Sequence, residues 1–154
     1  MSRVISIRLH DSQAERLGRL ARRLGRSQAE TGALLIEEAL RMSECAFIDF
    51  RDSFVGRQAY LQGSSLAVWE VIMILRAYDG DDEKAAEHLQ WPAYRVEAAA
   101  SYAAAFPEEI DAAIDDNESY NAEKVRRMLP QTRVFTMVDD ALIEETPARA
   151  TPSA

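Results

Sequence analysis

Apolar and polar residues alternate strictly at the start of the chain. Ile5, Ile7 and Leu9 are apolar, with Val4, Ser6, Arg8 and His10 interleaved. A period of two over about seven residues predicts a strand with one buried face. The period then lengthens. Leu17, Leu20, Ala21 and Leu24 fall at i, i+3, i+4 and i+7, one face of a helix. Asp11 and Ser12 stand where its N-cap belongs, with Glu15 three residues after Ser12 as in a capping box. Gly25 suits the left-handed backbone that ends such a helix. Ser27 with Glu30 makes a second capping box, and Ala29, Ala33, Ile36 and Leu40 carry a second helical face. The order is strand, helix, tight turn, helix.

The second helix is apolar on more than one side (Leu34, Leu35, Ile36, Ala39, Leu40), more than a single packing face requires. About forty residues in this pattern cannot by themselves bury enough surface to offset chain entropy. The economical solution is an intertwined homodimer in which two copies of the strand pair antiparallel.

Residues 44–55 (ECAFIDFRDSFV) mix aromatics with charges. They read as a continuation of the second helix or a short connector, with Phe47, Ile48, Phe50 and Phe54 anchoring a second domain. Gln58 to Leu61 and then Leu66 look like short extended segments around the turn Gln62-Gly63-Ser64-Ser65. Val68, Val71, Ile72 and Leu75 give a helical face, broadened by Trp69, Met73, Ile74 and Tyr78 and stopped by Gly80. Asp81 or Asp82 caps a short helix to Leu89, and Gln90-Trp91-Pro92 turns the chain into another, with Pro92 at its start. In that helix, Tyr94 to Ala105, Val96, Ala99, Ala100 and Ala103 are spaced for close packing. Pro107 opens the next, with Glu108 and Glu109 in its favourable first turn and Ile110, Ala113 and Ile114 facing inward.

The first forty residues resemble the ribbon–helix–helix family of bacterial repressors and antitoxins. The residues that carry the likeness are the I-S-I-R-L strand, the L-x-x-L-A-x-x-x-G-x-S run from Leu17 to Ser27, and the A-E and L-I-E-E-A-L segments of the second helix. The resemblance implies that the paired strands enter the DNA major groove. With Ile5, Ile7 and Leu9 inward, Val4, Ser6 and Arg8 point out. Arg8 is then the base reader, since its fork matches guanine O6 and N7. Ser6 can donate or accept, and Val4, where many members carry a polar residue, can meet a thymine methyl. Ser27 and Gln28 open the second helix, whose N-terminus suits a phosphate.

Charge sharpens this picture. The net charge of the 154 residues is −8, which argues against a nucleic-acid-binding surface throughout. The imbalance is regional. Residues 1–43 hold eight Arg against five acids, whereas residues 44–154 hold ten basic residues against twenty-one acids. A basic head on an acidic body predicts operator DNA at one end and a different partner at the other.

Residues 55–112 resemble a small helical domain of bacterial antitoxins that is related to helix-turn-helix modules and accompanies PIN-like ribonuclease toxins. Gly56, Arg57, Gly63, Ser64, Leu66 and Val68 keep its frame, and Ala98, Ala99, Tyr102 and Ala103 echo its last motif. Gln58 stands where the family has proline, and Ser65 where it has arginine. The helix in the recognition position carries Arg95 as its one cation, against Glu97, while a phosphate-binding surface needs several. This scaffold is therefore expected to pack on protein.

Residues 117–145 form a third region. Ser119 or Asn121 caps a short helix with Val125, Met128 and Leu129 on one side and Lys124, Arg126 and Arg127 on the other, ended by Pro130. Thr132 to Val138 is β-prone. One helix and one strand lack a core of their own, and such segments commonly order against a partner. A PIN-like nuclease holds divalent metal on clustered carboxylates, which an inserted arginine would satisfy. Arg126, Arg127 and Arg133 are the toxin-binding candidates. The tail Thr146–Ala154 is Pro- and Ala-rich and reads as disordered.

Chemistry is sparse. His10 and His88 lack metal-ligand spacing with Cys45. Asp79-Gly80-Asp81-Asp82-Glu83 hints at calcium, but Lys84 occupies the place where an EF-hand loop needs glycine. Glu108, Glu109, Asp111, Asp115 and Asp116 are explained by first-turn and solvated-face roles. No phosphate loop, nucleotide fingerprint or nucleophile motif appears, so neither catalysis nor a cofactor is expected. One cysteine, no apolar run of membrane-spanning length and no signal-peptide pattern point to the cytoplasm, away from membranes.

The expected fold is mainly α. A ribbon–helix–helix dimer (1–45) is followed by a small helix-turn-helix-like domain (46–116), a helix/strand partner-binding segment (117–145) and a disordered tail (146–154). The expected function is an antitoxin that dimerises, represses its own operon and neutralises a PIN-like ribonuclease. The alternatives are a repressor whose C-terminal domain senses a ligand or mediates oligomerisation, and an interaction protein whose ribbon pairs without reading DNA.

Overall fold

A computed structural model of the chain describes residues 4–53, 55–120, 124, 127–128, 135–138 and 141–144. It is mainly helical, with two small antiparallel hairpins. The chain divides into two compact units, residues 1–110 and 111–154.

In the first unit, α1 (Asp11–Leu24) and α2 (Gln28–Glu44) form a helical hairpin. Gly25, at φ +64°, turns it, and the Arg26 N–H closes back on Ala21 O at 3.0 Å. A side chain with a Cβ is strained in that backbone, which is why glycine stands there. α1 starts two residues earlier than the Ser12–Glu15 spacing suggests. His10 is its extended N-cap, and the His10 N–H donates to Gln13 Oε1 at 3.0 Å. Gln13, three residues on, does for His10 what the spacing assigns to Glu15 for Ser12. At α2 the expected box is present, with the Glu30 N–H donating to Ser27 Oγ at 3.2 Å and the Ser27 N–H to Glu30 Oε2 at 2.9 Å.

Residues 4–10 form no ladder with any of the described residues, and the face expected to be buried is bare: Ile5 is 79% exposed, Ile7 61% and Leu9 42%. A strand needs a second strand, and these residues find none among the described residues. Along α2, Thr31 and Glu38 are buried and Leu34, Leu35 and Arg41 half-buried, while Ala29, Ala33, Ile36 and Leu40 on the opposite side are exposed.

Residues 44–55 depart from expectation more sharply. α2 stops at Glu44, and Phe47 takes a left-handed backbone at φ +61°. The chain then forms β1 (Ile48–Ser53), which pairs antiparallel with β2 (Gly56–Leu61), from Ile48 opposite Leu61 to Ser53 opposite Gly56. Ile48, Leu61 and Ala59 are buried, and the alternating partners are polar. That period of two was masked by the charges between the aromatics. Phe54, an expected anchor, lies outside the described residues. The turn over residues 62–65 is as expected: Gly63 has φ +70°, Leu61 N–H donates to Leu66 O, and Tyr60 bridges to Ala67.

Three helices complete the core: α3 (Val68–Ala77), α4 (Asp82–Leu89) and α5 (Ala93–Ala105). Val68, Val71, Ile72, Ala85, Ala86, Val96, Ala99 and Tyr102 are buried among them. Asp81 caps α4 by accepting from Lys84 N–H at 3.0 Å. Gln90, left-handed at φ +56°, ends α4, and Pro92 caps α5. α6 (Pro107–Glu118) carries buried Ile110 and Ile114 and holds the division between the units.

In the second unit, β3 (Phe135–Val138) pairs with β4 (Ala141–Glu144), Phe135 opposite Glu144 and Val138 opposite Ala141. The expected strand thus has a partner shortly downstream, in a run too short to register as a pattern. Val125, Leu129 and Pro130 of the expected short helix lie outside the described residues. No described helix is long and apolar enough to cross a membrane.

Leu61, fully buried at the junction of β2 and the helices, is a test of this core. Leu61→Ala should destabilise the fold by about 2–5 kcal/mol, read as a lower urea midpoint at unchanged helical circular dichroism.

Candidate nucleic-acid interface

The expected DNA-contacting residues fall in two places on the first unit. Val4, Ser6 and Arg8 lie on the arm before α1, all exposed, Val4 at 96%. In extended backbone they share one side while Ile5, Ile7 and Leu9 share the other. Ser27 and Gln28 open α2. The Ser27 hydroxyl is engaged in its own cap, donating to Glu30 Oε2 at 2.6 Å. The donors of the first turn without an intrahelical acceptor are therefore the Gln28 and Ala29 N–H groups. The Gln28 side chain folds over α1: a Cβ built at Gly18 would meet its Nε2 at 3.0 Å and Arg22 Nη1 at 3.8 Å. Gly18 thus lets the start of α2 lie close to α1.

Hydrogen bonds from the Ser27 side chain and then its backbone hold the Glu30 carboxyl below the usual glutamate range. A carboxylate depressed in the folded state stabilises above its unfolded pKa, and that contribution is lost as pH falls through the folded value.

What fixes α2 in place comes from far along the chain. Arg57 on β2 grips buried Glu38 in a bidentate pair, Nε to Oε1 at 2.6 Å and Nη2 to Oε2 at 2.7 Å. Arg57 also donates to Asp52 Oδ1 at 3.0 Å and to Phe50 O at 3.2 Å. The bond to Glu38 above all holds the Arg57 guanidinium above its ordinary pKa, against the opposing effect of burial. One turn on, Arg41 lies 3.9 Å over the Phe106 ring and donates to Glu37, to Glu109 Oε2 at 2.6 Å and to the Tyr102 hydroxyl at 2.8 Å. Burial opposes the Arg41 charge, but these bonds outweigh it and raise its pKa. Tyr102 donates in turn to Glu109 Oε1 at 2.9 Å, and burial first, then Glu109, pushes its hydroxyl up, so it remains a donor at neutral pH. Arg41 is therefore a structural cation, held by Glu37, Glu109 and Tyr102.

Sequence reasoning missed Glu38, Arg57, Arg41, Tyr102 and Glu109 as a group. One signal was available: Glu38 shares a face of α2 with Thr31 and Leu34, where a solitary acid needs a buried partner.

On α5, Arg95 lies 4.3 Å over the Trp91 ring and donates to Gln62 O. The one cation of that helix is spent on packing. Elsewhere Tyr78 and His88 meet through their side chains at 3.0 Å, and Cys45 is half-buried with its thiol pushed up by burial and then by Glu44. Among the described residues no cluster of His, Cys, Asp and Glu could hold a metal. Arg127 is exposed; Arg126 and Arg133, the other toxin-binding candidates, lie outside the described residues. Comparison with protein-family models, curated proteins and solved structures finds no match.

Two measurements check this geometry. Glu38→Ala leaves the Arg57 guanidinium without its main partner and should cost about 3 kcal/mol or more, with Glu38→Leu/Arg57→Leu recovering much of it, in urea titrations. Ser27→Ala should cost about 1 kcal/mol, and that difference should shrink when the titration is repeated below the depressed Glu30 pKa.

Proposed function

We propose that this chain is a ribbon–helix–helix repressor that acts as a homodimer, and that it is the antitoxin of a PIN-like ribonuclease. One observation carries the DNA-binding part. Ile5, Ile7 and Leu9 on the arm and Ala29, Ala33, Ile36 and Leu40 on α2 form two bare apolar sets within a single chain. Covering a large aliphatic side chain contributes roughly 1.5–3 kcal/mol. Four or five such side chains on each of two copies are enough to offset an association cost of roughly 4–15 kcal/mol. Antiparallel pairing of two arms covers both sets and turns Val4, Ser6 and Arg8 outward together. Arg8 reads guanine from the major groove, while the Gln28 and Ala29 N–H groups at the start of α2 hold a phosphate.

The antitoxin part rests on charge and on the likeness of residues 55–112 to antitoxin domains. The acidic body complements the basic groove of an RNA-cleaving enzyme and steers it in. Arg126, Arg127 and Arg133 supply candidates for occupying its carboxylate cluster. Engagement of Arg95 by Trp91 and Gln62 agrees with a body that meets protein. A chain of this kind works in the cytoplasm.

Two experiments test the proposal. Sedimentation should give a dimer that Ile7→Asp or Leu40→Asp converts to monomer, and Arg8→Ala should weaken binding to the DNA upstream of the chain's own coding sequence at least roughly tenfold without loss of the dimer. A monomeric wild type, or full DNA affinity without Arg8, removes the repressor reading. Co-expression with the adjacent gene should yield a stoichiometric complex whose ribonuclease activity is silent; a neighbour that is neither toxic nor bound removes the antitoxin reading.

A further inference from the structure

We infer that the outer face of α1 is a second DNA-contacting surface, which holds phosphates flanking the groove that the paired arms occupy. This rests on the repressor reading above and extends its footprint. α1 is 14 residues long, about 21 Å at 1.5 Å per residue. Leu17, Ala21 and Leu24 face inward, and Arg16, Arg19, Arg22 and Arg23 stand on the opposite side, with Arg26 just beyond the helix; all five are exposed. The chain has only two lysines, Lys84 and Lys124, and neither lies here. A guanidinium matches phosphate bidentately where an ammonium is a point charge.

Two observations point to a phosphate backbone as the occupant. First, α1 has acids only at Asp11 and Glu15, and residues 16–26 hold five arginines and no acid in a chain of net charge −8. Second, the row is continuous with the proposed interface. Arg22 Nη1 and Gln28 Nε2 both border the space over Gly18, beside the first turn of α2. The acids that meet these arginines hold them weakly. Glu15 lies 4.0 Å from Arg19, with side chains 74% and 62% exposed, and Asp52 lies 3.4 Å from Arg23, 49% and 68% exposed. Exposed pairs of that kind contribute little and yield to a polyanion.

The test is the salt dependence of binding. Each phosphate neutralised contributes about −0.9 to the slope of log Kobs against log salt. The wild type, Arg16→Gln/Arg19→Gln/Arg22→Gln/Arg26→Gln, the same four positions changed to Lys, and the control Lys84→Gln/Lys124→Gln would be titrated against two duplexes. One is a mixed-sequence 30-bp duplex and the other is the DNA upstream of the coding sequence. The Gln variant should lose at least roughly 2 units of slope per dimer on both duplexes and keep the preference between them. The Lys variant and the control should retain the slope. Circular dichroism melting of each variant confirms folding. If Arg8-dependent binding persists with an unchanged slope in the Gln variant, the α1 surface is wrong and the repressor reading stands. If the wild type binds neither duplex, both fall.

Discussion

The helix α2 has two faces with apolar residues, and the described residues of the chain cover only one of them. The face of Thr31, Leu34, Glu38 and Arg41 is closed by the β1–β2 hairpin and by α5 and α6, through the Arg57 fork and the Tyr102–Glu109 pair. The face of Ala29, Ala33, Ile36 and Leu40 is left open, as is the apolar side of the arm. The first closure is ionic and hydrogen-bonded, which fixes geometry more than it adds stability, because buried charges must first be stripped of water. The second would be apolar and non-directional, and its register would be set by the alternation of the arm. The proposed assembly is the consequence of that division.

The same division says how the proposed DNA and protein surfaces share so short a chain. The arm, the α2 N-terminus and the outer face of α1 bring exposed arginines to one part of the first unit. Arg41, Arg51, Arg57 and Arg95 are engaged in ion pairs, carbonyl contacts or ring stacking. If a partner on the acidic body altered how the hairpin holds Glu38, it would reposition α2, and DNA would in return alter affinity for that partner.

Much of the helical frame was legible in the sequence. Gly25, the Ser27–Glu30 box, the Asp81 cap and the faces of α3 and α5 are local, within a few residues of one another, where spacing decides. The errors were of two kinds. One concerned local rivals: Gln13 closing on His10 won over Glu15 closing on Ser12, since both spacings are three. The other concerned distance. Glu38 and Arg57 are 19 positions apart, Arg41 and Tyr102 61, and Arg41 and Glu109 68; periodicity carries no information about such pairs. The β1–β2 hairpin escaped because Asp49, Arg51 and Asp52 interrupt the aromatics. Of the candidate site, Arg8 is exposed together with the whole arm, Ile5 and Ile7 included, so the alternation does not account for it, and the long-range engagement of Arg41 by Glu109 required coordinates.

The most direct measurement of the central claim is hydrogen–deuterium exchange of the amides of residues 5–10 at rising protein concentration, without DNA. Antiparallel pairing of two arms predicts protection that grows with concentration and saturates with dimer formation, while α3 and α5 amides stay protected throughout. Exchange of the arm at the rate of unstructured peptide at every concentration, with the helical core intact, would contradict it.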